Sequence, residues 1–207
     1  MKKITWIIIV ILAIIVGTIP VFYLVYGGNE GFLELKSPAV LANMLWRVFL
    51  YIHIISGGAA ILIGWIQFSK RLQKRRINVH RTIGKVYIIS ALTCSVSGAY
   101  ISFYATGGWV PALGFFTVAC IYFYTTLRGF LSIRKGQIMQ HQNFMTYSYA
   151  ACLAAVSLRV YIPLSILITD DYILSYTFIA WLSWIPNLVI AYFINKSNQN
   201  KMALAEA

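Results

Sequence analysis

Acidic side chains are nearly missing from this chain: five Asp and Glu stand against seventeen Lys and Arg in 207 residues. Charge of either sign is scarce, at 11% of residues against 60% hydrophobic, which leaves more apolar material than one soluble domain can bury. A water-soluble globular fold is excluded. The net charge of +12 would suggest nucleic acid in a soluble protein. Here uncharged apolar runs separate the basic residues, so nucleic acid is not an expected partner. Cysteine is limited to Cys94, Cys120 and Cys152, one per apolar run and without CxxC spacing, which excludes a disulfide framework. A soft-metal site drawn from three helices is one reading of them; small packing residues are the other. The sequence also lacks a phosphate-binding glycine loop, an HExxH motif, a nucleophile-elbow serine and any acidic pair within an apolar run. No catalytic residue is assigned, and enzyme activity is left open to a redox component. Proton-coupled transport usually leaves carboxylates inside the membrane, and their absence counts against it.

What the chain does contain is six long apolar runs, each with at most one charged residue, at about 4–26, 45–68, 83–105, 110–133, 143–168 and 172–194. A bilayer core about 30 Å thick takes about 20 apolar residues to cross as a helix, and lipid offers no partner to an unpaired backbone group. The expected fold is therefore all-α: a single multi-pass membrane domain over 1–207, with six transmembrane helices. Helices two to five, about 45–168, are expected to form a central four-helix bundle, with helices one and six peripheral. The densest basic cluster, Lys70-Arg71-Leu72-Gln73-Lys74-Arg75-Arg76 with Arg81 and Lys85, lies in the loop 69–82 between the second and third runs. The positive-inside rule puts that loop in the cytoplasm, suited to anionic lipid head groups. The same choice puts Lys2, Lys3, Arg128, Arg134, Lys135, Lys196 and Lys201 inside and Glu30, Glu34, Asp170 and Asp171 outside. Both termini are then cytoplasmic, and the expected location is the cell (cytoplasmic) membrane. Trp46 and Trp109 are expected at the outer interface, where amphipathic rings anchor helices.

Within the third run His80, Gly84, Tyr87, Ala91, Cys94 and Gly98 follow at steps of four and three, one face of a helix. The fifth repeats that rhythm with His141, Met145, Ser148, Cys152, Ala155 and Arg159, each displaced by 61 residues. The same displacement carries His53, Gly57, Ala60, Gly64 and Gln67 of the second run onto Gly114, Val118, Ile121, Thr125 and Arg128 of the fourth. This is the pattern of a duplicated helical hairpin related by an axis along the membrane normal. Ordinary small-residue packing produces similar stripes.

Two pairs of polar residues are candidate sites. Arg159 is the sole basic residue deep in a run, and a cation there costs about 2.5–3.5 kcal/mol on insertion scales. Counting about 1.5 Å per residue from the outer ends puts His53 at roughly 12 Å depth and Arg159 at roughly 13 Å, so the two would share a polar pocket. Alternatively Arg159 snorkels outward past Pro163 toward Asp170 and Asp171, and His53 hydrogen-bonds a neighbouring carbonyl. His80 and His141 share one level at the cytoplasmic ends of the third and fifth helices, the arrangement that bis-histidine ligation of haem b needs. Haem b binding for membrane electron transfer is the lead expectation. A non-redox small-ligand binding or transport protein built on the His53/Arg159 pocket is the alternative. Against haem, His80 lies about 21 Å from mid-span Cys94, beyond the hydrocarbon edge at about 15 Å, where a histidine beside Arg81 is equally placed to meet a phosphate head group or cap its own helix.

The words His53-x-x-x-Gly57-Gly58, Gly64-x-x-Gln67-Phe68, His80-Arg81-x-x-Gly84-x-x-Tyr87, Gly107-Gly108, Thr125-Thr126, His141-x-x-x-Met145 and Ala154-Ala155-Val156-Ser157-Leu158-Arg159 cover about half the chain. In that order they resemble a family of bacterial membrane proteins known as domain of unknown function 2306, which brings no established activity. Gln142 follows His141 where a second His-Arg pair would be expected. More loosely, six helices with histidines on the central four resemble the cytochrome b561 proteins, whose likeness implies up to two haems. Gly114 stands where the outer haem's second histidine would be, so that likeness leaves only His80 and His141.

Overall fold

The computed structural model describes residues 3–26, 33 and 36–206; Lys2, Glu30, Glu34 and the side chain of Lys3 fall outside what it describes. Among the described residues every regular element is helical. Helix α1 covers Lys3–Tyr26, α2 Pro38–Ala42, α3 Met44–Gly64 with a 3-10 extension over Trp65–Phe68, and α4 Lys70–Arg75. Then follow α5 (Ile77–Ser102), α6 (Trp109–Arg134), α7 (Ile138–Cys152), α8 (Ala154–Thr169), α9 (Tyr172–Leu182) and α10 (Ile185–Glu206). Five stretches are long and apolar enough to cross a membrane: Met44–Phe68, Ile77–Ser102, Trp109–Arg134, Ile138–Thr169 and Tyr172–Lys201. The apolar part of α1, Trp6–Val21, is shorter.

Two of the spanning helices begin earlier than hydropathy suggests, at Ile77 rather than about 83 and at Ile138 rather than about 143. Charged side chains end a hydropathy run, but the backbone groups beneath them still need partners, and continuing the helix supplies them. The basic segment 69–82 is accordingly not an open loop. It is α4, capped by Ser69, followed by the first turns of α5. Each long C-terminal stretch carries one break. Leu153 separates α7 from α8, and Ser183 and Trp184 separate α9 from α10, where Pro186 has no N–H to give Leu182. The two breaks are tied together. Asn187 Nδ2 donates to the Ala150 carbonyl at 3.3 Å and to Ser157 Oγ at 3.1 Å.

Packing follows the chain: α3 runs along α5, α5 along α6, α6 along α7 and α1 along α3. Helix α1 is no outlying anchor, since Ala13 and Val16 are buried with Ala60, Ile61, Tyr87, Ala91, Cys94, Tyr122, Tyr149, Ala151, Cys152 and Val156 in one core. Small residues set the closest crossing. A Cβ on Gly58 would lie 2.7 Å from the Pro20 ring and 2.9 Å from the Gly17 carbonyl oxygen. Backbones this close gain dispersion contacts that bulkier residues would prevent.

Below that crossing lies a buried hydroxyl chain. Thr126 Oγ1 donates to the Tyr122 carbonyl at 2.7 Å, so it accepts from Ser148 Oγ at 2.7 Å. Ser148 in turn accepts from Tyr87 Oη at 2.9 Å. Each hydroxyl hydrogen is thereby used once. Tyr87 and Ser148 are 61 residues apart, equivalent positions of the two stripes, and they meet on the line between α5 and α7. The equivalence is weaker for α3 and α6. Gly114, the counterpart of His53, is covered by the Ala180 carbonyl of α9, 3.0 Å from where its Cβ would be.

Candidate functional site

A cavity of about 520 Å³ lies between α1, α3, α5, α6, α7, α8 and α9, toward the end of the molecule opposite the basic cluster. Its walls are mainly apolar, with three charged or ionisable nitrogen side chains, Lys36, His53 and Arg159, beside Trp46, Tyr122, Tyr172, Tyr176 and the hydroxyls of Ser95, Ser102 and Ser183. A mostly apolar concavity with a small set of polar groups is the usual form of a small-molecule site. His53 and Arg159, the two residues singled out as an intramembrane polar pair, both line it.

His53 is held in one tautomer. Its Nδ1 lies 3.0 Å from the Cys94 carbonyl oxygen, which only accepts, so Nδ1 carries the proton and Nε2 of the neutral ring is an acceptor. The ring reaches that carbonyl because Gly98, one turn on, has no side chain. A Cβ there would stand 3.0 Å from both Cε1 and Nδ1 of the imidazole. Arg159 is turned the other way from the snorkelling expectation. Its Nη1 donates to the Ala155 carbonyl at 3.0 Å, one turn back along α8 and away from Asp170 and Asp171. Asp171 instead caps α9, accepting from the backbone of Ile173 at 2.8 Å and Leu174 at 3.0 Å.

Two lining residues were not expected at the site. Trp46, read as an interface anchor, is 2% exposed and faces inward, whereas Trp109 is 73% exposed. Extending the His53 stripe backward by three and four residues reaches Leu50 and Trp46, so helical periodicity carried the signal. Lys36, just before α2, folds over the mouth, where its ammonium donates to the Tyr104 carbonyl and, at 3.1 Å, to Thr106 Oγ1. Burial lowers its pKa from the usual lysine value to about 8, which leaves it charged at neutral pH. An ammonium has three donors, and these contacts use two. Among the described residues the indole Nε1 of Trp46, buried on a lining residue, has no hydrogen-bond partner. Such orphaned groups cost about 1–3 kcal/mol each unless something else meets them.

His80 and His141 lie close enough for their charges to interact, at the basic end and away from the cavity. His141 Nδ1 donates to the Gly129 carbonyl at 2.8 Å, and among the described residues buried His80 Nδ1 has no partner. Their donor chemistry suits a haem iron, but neither residue lines the 520 Å³ cavity, whose one histidine is His53. The space and the histidine pair do not coincide. Among the described residues no cluster of three or more His, Cys, Asp or Glu is placed to hold a metal ion, and Cys94 and Cys152 are free thiols in the core.

Five helical stretches long and apolar enough to cross a membrane mark a multi-pass membrane protein. The family model described as predicted membrane protein, domain of unknown function 2306, matches residues 50–195, and the chain belongs to that family. The match takes in His53, His80, Tyr122, His141 and Arg159 and stops short of Lys36 and Trp46. No curated protein and no solved structure matches the chain.

Proposed function

We propose that this protein binds a small organic anion in the cavity lined by Lys36, His53 and Arg159, as a non-redox binding or transport protein of the cell membrane. The observation that carries this reading is the convergence of two cations and one tautomer-fixed histidine on a single apolar-walled space. In this reading α1 is a sixth span and both termini are cytoplasmic. Helices α3 to α8 form the four-helix unit, α4 rests on anionic lipid heads, and the cavity opens outward. The basic residues of α4 and α5 support that orientation.

Thermal unfolding of the purified protein in neutral detergent, against a panel of organic acids, tests the reading. At a hundred times its dissociation constant a true ligand stabilises the folded state by about 2.7 kcal/mol. At least one acid should raise the midpoint saturably, and Ala119→Phe, which fills the cavity from α6, should abolish the effect. If no acid shifts the midpoint, the reading fails. Haem b between His80 and His141 is the competing reading. A Soret band lost in both His80→Ala and His141→Ala would displace the anion.

A further inference from the structure

The fixed tautomer of His53 specifies the ligand more closely than charge alone. Its Nδ1 is committed to the Cys94 carbonyl, which leaves Nε2 as an acceptor on the far side of a ring that lines the cavity. Among the described residues nothing donates to Nε2 and, unlike the indole nitrogen of Trp46, it is not covered by them. A carboxylate only accepts and cannot meet it. The cavity therefore calls for a proton donor as well as a negative charge. A hydroxyl gives that proton without carrying a second charge among apolar walls, as an ammonium would.

The two demands stand apart. Lys36 sits at the mouth, its ammonium on the Tyr104 carbonyl and Thr106 Oγ1, with one N–H remaining. The His53 ring lies beside Gly98, six residues before Tyr104 and so about 9 Å deeper along α5. The lining between those levels is apolar. Leu50 and Ile101 stand three residues nearer the mouth than His53 and Gly98, and Phe115 stands one turn nearer than Ala119, which packs beside Gly98. We infer, resting on the anion reading above, that the ligand is a medium-chain hydroxy acid whose hydroxyl is remote from its carboxylate. The carboxylate accepts from Lys36, the chain runs along Leu50, Ile101 and Phe115, and the hydroxyl donates to His53 Nε2. An acid with its hydroxyl next to the carboxylate does not span the two levels, and a plain acid of equal length covers Nε2 without giving it a donor.

Equilibrium binding of radiolabelled ω-hydroxyoctanoate to the purified full chain in neutral detergent at neutral pH, with empty micelles subtracted, tests this. It should bind saturably at one per chain. Unlabelled octanoate and α-hydroxyoctanoate should each compete about tenfold more weakly, because they leave a buried acceptor unmet. His53→Phe, which keeps a ring and removes the acceptor, should erase the preference, so that the three acids bind alike. Lys36→Gln should weaken all three together and keep their order, because it acts on the carboxylate. Equal competition by octanoate or α-hydroxyoctanoate in the wild type, or a preference that survives His53→Phe, overturns the hydroxy acid and leaves the anion reading standing. If none of the three binds while another acid stabilises the protein to heat, the hydroxy acid falls alone; if no acid does either, both readings fall.

Discussion

The His53 imidazole donates from Nδ1 to the Cys94 carbonyl at 3.0 Å across the α3/α5 interface, and Gly98 makes the approach possible. Gly98→Ala would place a methyl 3.0 Å from the ring and force it off that carbonyl. The expected result is weaker ligand binding with the helical content unchanged. Circular dichroism read beside the binding isotherm checks it; undiminished affinity would mean that the ring's position is irrelevant.

Lys36 predicts the pH dependence. Its ammonium is present below its pKa of about 8 and lost above it, so ligand affinity should fall as pH rises through that value. Arg159 keeps its charge throughout and contributes no such step. Lys36→Arg should flatten the curve. The effect on folding has the opposite sense: the unfolded chain holds this proton up to the normal lysine range, so stability due to Lys36 increases with pH between about 8 and that range.

Ser148→Ala removes the acceptor that Tyr87 uses and leaves a buried phenol unsatisfied, because Thr126 already donates to the Tyr122 carbonyl. A loss of about 1–2 kcal/mol is expected, within the range for hydrogen bonds between membrane helices. Adding Tyr87→Phe should recover part of it, since no orphan then remains. A double-mutant cycle of unfolding in detergent reads the coupling directly, and additive losses would rule out the hydroxyl chain as a structural unit.

The orientation is open to labelling. A cysteine at Asp171 should react with an impermeant thiol reagent in intact cells, and one at Asn198 should not. The reverse pattern would turn the cavity toward the cytoplasm.

Much of the membrane fold was legible because apolar runs and helical stripes are imposed by the lipid itself: residues 45–68 and 110–133 match their helices closely. Helix starts among charged residues were not, because hydropathy senses side chains while helix length answers to the backbone. The His53/Arg159 pair was visible because a polar residue inside an apolar run is conspicuous. Lys36 was hidden for the converse reason, as one lysine in a polar connection where nothing about its neighbours marks it. The 61-residue displacement matched Tyr87 with Ser148 but misled at Gly114. The cavity face of α6 takes in Phe115, Val118, Ala119 and Tyr122, and of the stripe expected there only Val118 lies on it.

The most direct test of the anion site is native mass spectrometry of the protein taken from its own membrane, wild type beside Arg159→Leu and Arg159→Lys. Removing the guanidinium eases insertion, so Arg159→Leu should fold and accumulate normally. The wild type should carry an acidic molecule, Arg159→Leu should carry none, and Arg159→Lys should hold it weakly, since lysine keeps the charge but loses the planar fork. An Arg159→Leu protein that carries the same molecule at the same occupancy would contradict the account.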